Sequence, residues 1–314
     1  MDSGKARLIV LICSGLLLAA DRPPALPLSE ARWLAKGAST DNLLREPGEC
    51  VAWPASPTLN DSTRIGRAAF QAPLLFGGQA ARAGLSCASC HRNGRDNPVF
   101  HFPGISGPPG TADVTASLLS SHRGDGKFNP KKIPDLADHA QNKVARDSQR
   151  DDLRKFIRGL IVEEFDGPEP PAGVLQGLVD YVRFMDSAEC GKEAAITLGD
   201  AIRDVENALR LAEEAMMLSG DKATARFLLG AARSALGRIN ERFSVPGLNR
   251  ERRILQKAGV DIGALQQALG SAGERELWRQ WSASWPSRKK SVAAAERRSL
   301  YSPEILRQRL ASRD

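Results

Sequence analysis

Hydrophobic positions recur at helical spacing over much of the chain, and they fall into two groups, the first of which is interrupted by a long stretch with no period. In the first group, Ser62 or Thr63 precedes Ile65, Ala68, Ala69 and Phe70, which predicts a helix capped at one of those hydroxyls. Ser148 to Asp151 opens a second run with Leu153, Phe156, Ile157, Leu160 and Ile161 on one face. After a break at Gly167 to Pro171, Leu175, Leu178, Val179, Val182 and Met185 form a third stripe. The second group begins with Leu198, Ile202, Val205, Leu209, Ala212 and Met216, and continues from Asp221 with Leu229, Leu236 and Phe243 a heptad apart. Shorter patterns follow over 250–269 and 274–285, and the chain is expected to leave the helix at Pro286. Between the helices of the first group, residues 91–130 are rich in Gly, Pro, Asn and Asp, and only Thr111 to Ser121 has the composition of a short helix. Residues 26 to about 60 show no period and read as an arm that wraps the surface. The prediction is an all-α protein whose first domain carries long loops.

One pentapeptide gives those loops a reason. Cys87-Ala88-Ser89-Cys90-His91 is a C-x-x-C-H motif. Two thiols at this spacing can form thioethers to the two vinyl groups of one porphyrin, and the adjacent imidazole reaches the iron from the same side. A zinc half-site would need a second pair of ligands at similar spacing, and a thioredoxin-like pair would need a βαβ pattern. Neither companion is present in the sequence. One haem c per chain is therefore expected, held by Cys87, Cys90 and His91, and its apolar faces are what the long loops would pack on.

The start of the chain fits this chemistry. Lys5 and Arg7 precede an apolar run of about 13 residues, followed by Pro23, Pro24 and Pro27. That run is short of the roughly 20 residues a bilayer span requires, so residues 1–25 read as a signal peptide and the location as periplasmic, an uncleaved anchor being the alternative. In an oxidising compartment the two cysteines left over, Cys50 and Cys190, are expected to pair.

The run from Phe76-Gly77-Gly78 to Cys87–His91, with a helix before it and the helix Gly177 to Phe184 closing it, resembles the cytochrome c superfamily, nearest to the bacterial di-haem cytochrome c peroxidases. The resemblance covers about residues 60–190, so the expected organisation is a haem domain with its arm over 26–190 and a helical region with a basic tail over 191–314. It implies that the first and last helices of the domain cross near the haem edge. The peroxidases carry two C-x-x-C-H motifs and this chain has one, which favours an electron carrier over a peroxidase. A sensor or assembly subunit working through its C-terminal helices is a third reading.

The remaining site residues are expectations of the same kind. His101, between Phe100 and Phe102, resembles the loop that brings a distal histidine to one haem of the peroxidases and is the first choice for the second axial ligand. His122, Met185 or no second ligand at all are the alternatives, an open position being what a catalyst needs, and His139 reads as a surface histidine. Arg92 is expected to meet a propionate, with Arg95 and Arg123 in neighbouring loops. Pro98 or Pro103 is expected to offer a carbonyl to the other nitrogen of His91. Trp278, Trp281 and Trp285 share a helix face and read as packing. The net charge of +7 points to a redox partner with an acidic surface, or to a membrane surface met through the basic tail beyond Pro286. No aromatic-interleaved basic patch supports nucleic-acid binding.

Overall fold

The computed structural model describes residues 28–138 and 150–311. The predicted signal segment, the Ser148 helix start and His139 lie outside them. The described chain is mainly helical, with ten helices and three two-residue antiparallel ladders. Helix α1 spans Pro57–Phe70 and starts a turn and a half before the predicted cap, because Pro57, with φ already set for a helix, takes a first-turn position after Ser56. Thr63 turns inward instead, its hydroxyl donating to Leu59 O. Two short helices follow, α2 (Gly78–Ala83) and α3 (Cys87–Cys90).

The loop region then runs through ladder β2–β3 (His91–Arg92 with Arg95–Asp96) and ladder β4–β5 (Thr111–Ala112 with Lys131–Lys132), β1 being Arg45–Glu46 in the arm. The helix expected within Thr111 to Ser121 is absent. The buried Asp113 carboxylate accepts hydrogen bonds from Thr115 N, Thr115 Oγ1 and Asn129 N, and this local bonding diverts the backbone into turns. Helix α4 (Arg150–Gly159) continues as a π-helical turn, Leu160–Glu164. Leu153 and Ile161 are buried from its predicted face, while Phe156 is 47% exposed. Helix α5 spans Ala172–Arg183.

Helices α1 and α5 cross backbone to backbone. A Cβ on Gly66 would lie 1.9 Å from Gly177 O, and one on Gly177 would lie 2.7 Å from Gly66 N and from Ser62 O. Ser62 Oγ donates to Asp180 beside this crossing, and Phe70 meets Tyr181 edge to face at 5.3 Å.

The second group of helices comprises α6 (Leu198–Ser219), α7 (Lys222–Arg242), α8 (Asn249–Ala268) and α9 (Glu274–Ala293), each packed on the one before it, followed by α10 (Pro303–Ala311). Thr197 and Asp221 cap α6 and α7 through their side chains. Helix α9 runs straight through Pro286, where the sequence predicts an end. The acceptor Pro286 leaves unpaired is the carbonyl of Ser282, an exposed residue, so water can satisfy it. As a result the basic tail is folded. Leu300, Tyr301 and Leu306 are buried, and Arg288, Lys289, Arg298 and Arg307 pair with Asp261, Glu206, Glu251 and Asp41. The three tryptophans pack in this core, Trp281 stacking on Trp285 at 5.1 Å and Trp285 Nε1 donating to Glu206.

Two hydrophobic clusters result, one in each group of helices, and the arm serves both. Leu28, Leu43 and Leu44 join the C-terminal cluster, whereas Trp33, Cys50 and Val51 join the other. The arm is thus a buried connector rather than a surface wrap. Arg45–Glu46 pairs with β6 (Ala194–Ala195), Val51 bridges to Met185, and the sulfurs of Cys50 and Cys190 are bonded, as the cysteine count led us to expect. Among the described residues no helix is long and apolar enough to cross a membrane.

The crossing makes a testable demand. Gly66→Ala must force the helices apart and is expected to cost about 3 kcal/mol, toward the upper end of overpacking penalties. At Gly237 a Cβ meets nothing within 4 Å, so Gly237→Ala should stabilise by roughly 1 kcal/mol through helix propensity. Urea unfolding midpoints of the two variants should move in opposite directions.

Candidate functional site

The C-x-x-C-H motif folds as a single helical turn followed by a hairpin. Ser86 and Ser89 close the start of α3 reciprocally, each side chain accepting from the other's backbone N–H. This turn sets Cys87 and Cys90 three residues apart on one helix, and neither is in a disulfide. His91 then opens strand β2, and the chain reverses at Asn93-Gly94, both with positive φ (50° and 88°), the conformation that a two-residue hairpin turn needs.

The imidazole of His91 is oriented by a segment forty residues further on. Its Nδ1 lies 3.0 Å from Pro134 O. A carbonyl can only accept, so Nδ1 carries the proton and Nε2 keeps a free electron pair. Pro134 is itself stitched to the hairpin, since Leu136 N donates to Gly94 O (2.9 Å) and Arg95 Nε to Asp135 Oδ2 (2.5 Å). The carbonyl therefore comes from Pro134 and from neither Pro98 nor Pro103, because the loop returns through β5 to lie against the hairpin. No sequence pattern around Ile133-Pro134-Asp135 marks it.

Cys87, Cys90 and His91 are half-buried, and the surrounding protein desolvates them. Burial pushes both thiols up to about 12, and it pulls His91 down to about 4 against the opposing effects of Pro134 O and Asp135. Neutral thiols of this kind are unlike the activated thiolate of a disulfide oxidoreductase. Among the described residues no three His, Cys, Asp or Glu side chains are grouped to hold a metal ion. The surroundings are apolar. Cys87, Ala88 and Cys90 pack on the cluster that holds Phe70, Leu85, Phe100 and Tyr181, and the Phe70 ring is 6.4 Å from that of His91.

The other expected residues are distributed as follows. His101 is partly buried, its backbone N donates to Trp33 O, and its ring Nδ1 is enclosed without a hydrogen-bond partner among the described residues. His122 is exposed, with Nδ1 3.0 Å from Asp166 Oδ1, and it secures a polar turn with Ser121. Met185 is buried, and a Cβ at Gly94 would come within 3.1 Å of its sulfur, so it packs against the hairpin turn. Arg92 donates from Nη2 to Asn42 O (3.1 Å) and Arg45 O (2.6 Å), tying the motif to the arm. Arg95 is engaged by Asp135, and Arg123 by Glu163 and Glu164.

Two supports escaped sequence reasoning. Asn97 is buried, donates to Ser89 O (2.8 Å) and accepts from Val99 N, holding the end of α3. Behind Phe70, Tyr181 donates to Glu49 (2.8 Å), Glu49 accepts from Arg67 Nε (2.7 Å), and Arg67 Nη1 reaches Asp204 of α6 (2.5 Å). Burial alone would lower the pKa of Arg67, but Asp204 and Glu49 outweigh it and raise it; burial, then Glu49, raises that of Tyr181. No protein-family model, curated protein or solved structure matches the chain.

Asn97→Ala leaves Ser89 O buried without its donor and is expected to lower stability by about 2 kcal/mol. Arg67→Met strands two carboxylates and should cost about 3 kcal/mol. Chemical denaturation of each variant would read these losses, and an unchanged midpoint for either would show that its hydrogen bonds carry no net stability.

Proposed function

We propose that Cys87, Cys90 and His91 hold one haem c covalently and that the protein is an exported electron carrier. The observation that supports this most is the state of His91: its Nδ1–H is committed to Pro134 O and its Nε2 pair is left free, beside two neutral thiols one helical turn apart. An imidazole held in this way is oriented for an axial bond and made more basic by the carbonyl. The apolar cluster around the motif suits a macrocycle, and the meeting of α1 and α5 near His91 agrees with the helix crossing that the cytochrome c resemblance implies. When bound, the haem supplies a reversible Fe(III)/Fe(II) couple. The chain's part is to fix the imidazole and to set the potential through ligands and burial.

As a second ligand that would hold the iron, His101 is the residue we favour. Its enclosed Nδ1 has no hydrogen-bond partner among the described residues, an arrangement that is costly unless something binds there. His122 is engaged by Asp166 at the surface, and Met185 is packed against Gly94. For the redox partner, an acidic surface fits the exposed Lys131 and Lys132 just ahead of Pro134; the Lys132 side chain is 71% exposed, with Asp96 at 3.9 Å.

Expression with a c-haem maturation system should give one covalent haem per chain by the pyridine haemochrome assay and a low-spin ferric spectrum. Absence of covalent haem would overturn the proposal. His101→Ala should turn the centre high-spin, and an unchanged spectrum would reject His101 as ligand. A wild-type centre that is already high-spin and reacts with peroxide would replace the carrier by an enzyme.

A further inference from the structure

The disulfide stands against the segment that orients His91. Cys190 closes a short exposed stretch, Ser187–Glu189, that follows α5, and its partner Cys50 lies in the arm. Bonds lead from this stretch to the residues around Pro134. Ser187 N donates to Ala137 O (3.0 Å). Arg95 Nη1 lies 3.5 Å from the Cys190 sulfur, while Nε of the same guanidinium donates to Asp135 Oδ2 (2.5 Å). The buried Asp135 also accepts from Ala137 N (3.0 Å). Residues 134–137 are thus held on one side by the hairpin, through Leu136 N and Gly94 O, and on the other by the disulfide stretch. Arg95 serves both sides, because it stands in strand β3 of the hairpin and reaches Asp135 and Cys190 together.

The two sulfurs differ in access. Cys50 is fully enclosed, whereas Cys190 is half-buried at the end of exposed chain, so an attacking thiolate meets the Cys190 sulfur first. With a dithiol protein as reductant, its first thiolate bonds to Cys190, and the Cys50 sulfur leaves with the electron pair of the S–S bond and takes a proton. Its second thiol then displaces Cys190 as a thiol, so two electrons and two protons pass to the disulfide and the reductant becomes a disulfide. Past Asp186, whose N donates to Cys50 O, the stretch is tied to the arm by the disulfide and by a longer bond from Gly191 N to Glu49 O (3.4 Å). Reduction removes the first of these ties. It also leaves an ionisable thiol beside Arg95, where it competes with Asp135 for the guanidinium.

We propose that the Cys50–Cys190 disulfide is a redox-sensitive latch on residues 134–137, with Arg95 as the positioning residue that passes its state to the Pro134 carbonyl and so to His91. Closed, the latch keeps Pro134 O on His91 Nδ1; opened, it lets the carbonyl draw away. The latch stands on these contacts alone, and its effect on an iron potential rests on the haem site proposed above.

Amide hydrogen exchange on the full chain tests the latch. Reduction by dithiothreitol, or the double variant Cys50→Ser/Cys190→Ser, should speed exchange of Leu136 N–H at least about tenfold while Leu229 and Ala232 of α7, buried in the other cluster, keep their protection. Arg95→Met should speed Leu136 likewise, and reduction of that variant should add less than it does in the native chain, as for two groups acting through one contact. On the haem-loaded chain, reduction of the disulfide should raise the midpoint potential, because a weaker bond at Nδ1 leaves a less basic ligand. Unchanged Leu136 exchange, equal loss of protection in α7, or a potential that stays fixed while Leu136 loosens would overturn the proposal. A chain that takes up no haem would overturn the electron-carrier reading and leave the exchange measurement to decide the latch.

Discussion

The contact on which the rest depends is the crossing of α1 and α5 at Gly66 and Gly177, where two helix backbones touch with no side chain between them. Helices normally pack at 8–10 Å because side chains separate them. Removing both Cβ atoms brings the helices close enough for Ser62 to reach Asp180 and for Phe70 to meet the edge of Tyr181. Phe70 in turn stands beside His91. The placement of the motif thus rests on packing two steps away from it.

Helix α1 also looks the other way. Ile65 and Ala68 pack on the C-terminal cluster, and Arg67 spans from Glu49 in the arm to Asp204 on α6. Pairing one guanidinium with two carboxylates in a poorly solvated seam is costly to break, because either acid left alone keeps its desolvation penalty. A buried Arg242, bonded to Leu43 O, Leu300 O and Glu30, does similar work at the far end of the arm. Polar bonds therefore join the two apolar clusters, and a cleft remains where the two groups of helices do not meet.

Several expectations failed for one reason: in the loops and at helix ends the sequence leaves competing local choices open. Asp113 prefers to bond nearby backbone and so removes a helix from 111–121, and Pro57 moves the start of α1 forward. Pro286 fails to stop α9 because the acceptor it frees faces water. The arm, without any period of its own, gave no sign that its leucines and Trp33 would be buried on opposite clusters.

The helices with a sustained apolar stripe, the helical-turn spacing of Cys87 and Cys90, and the pairing of Cys50 with Cys190 were legible in the chain, because each depends on spacing or on a count that tertiary structure does not alter. Tertiary structure alone decided which carbonyl orients His91, where Arg92 spends its donors and that the basic tail folds into the bundle. Each of those outcomes joins residues far apart in the chain, from 27 positions for Arg288 and Asp261 to 43 for His91 and Pro134 and 47 for Arg92 and Arg45. Loops built of Gly, Pro and Asn carry no period to announce where they return, so only the folded chain shows that Pro134 comes back to His91.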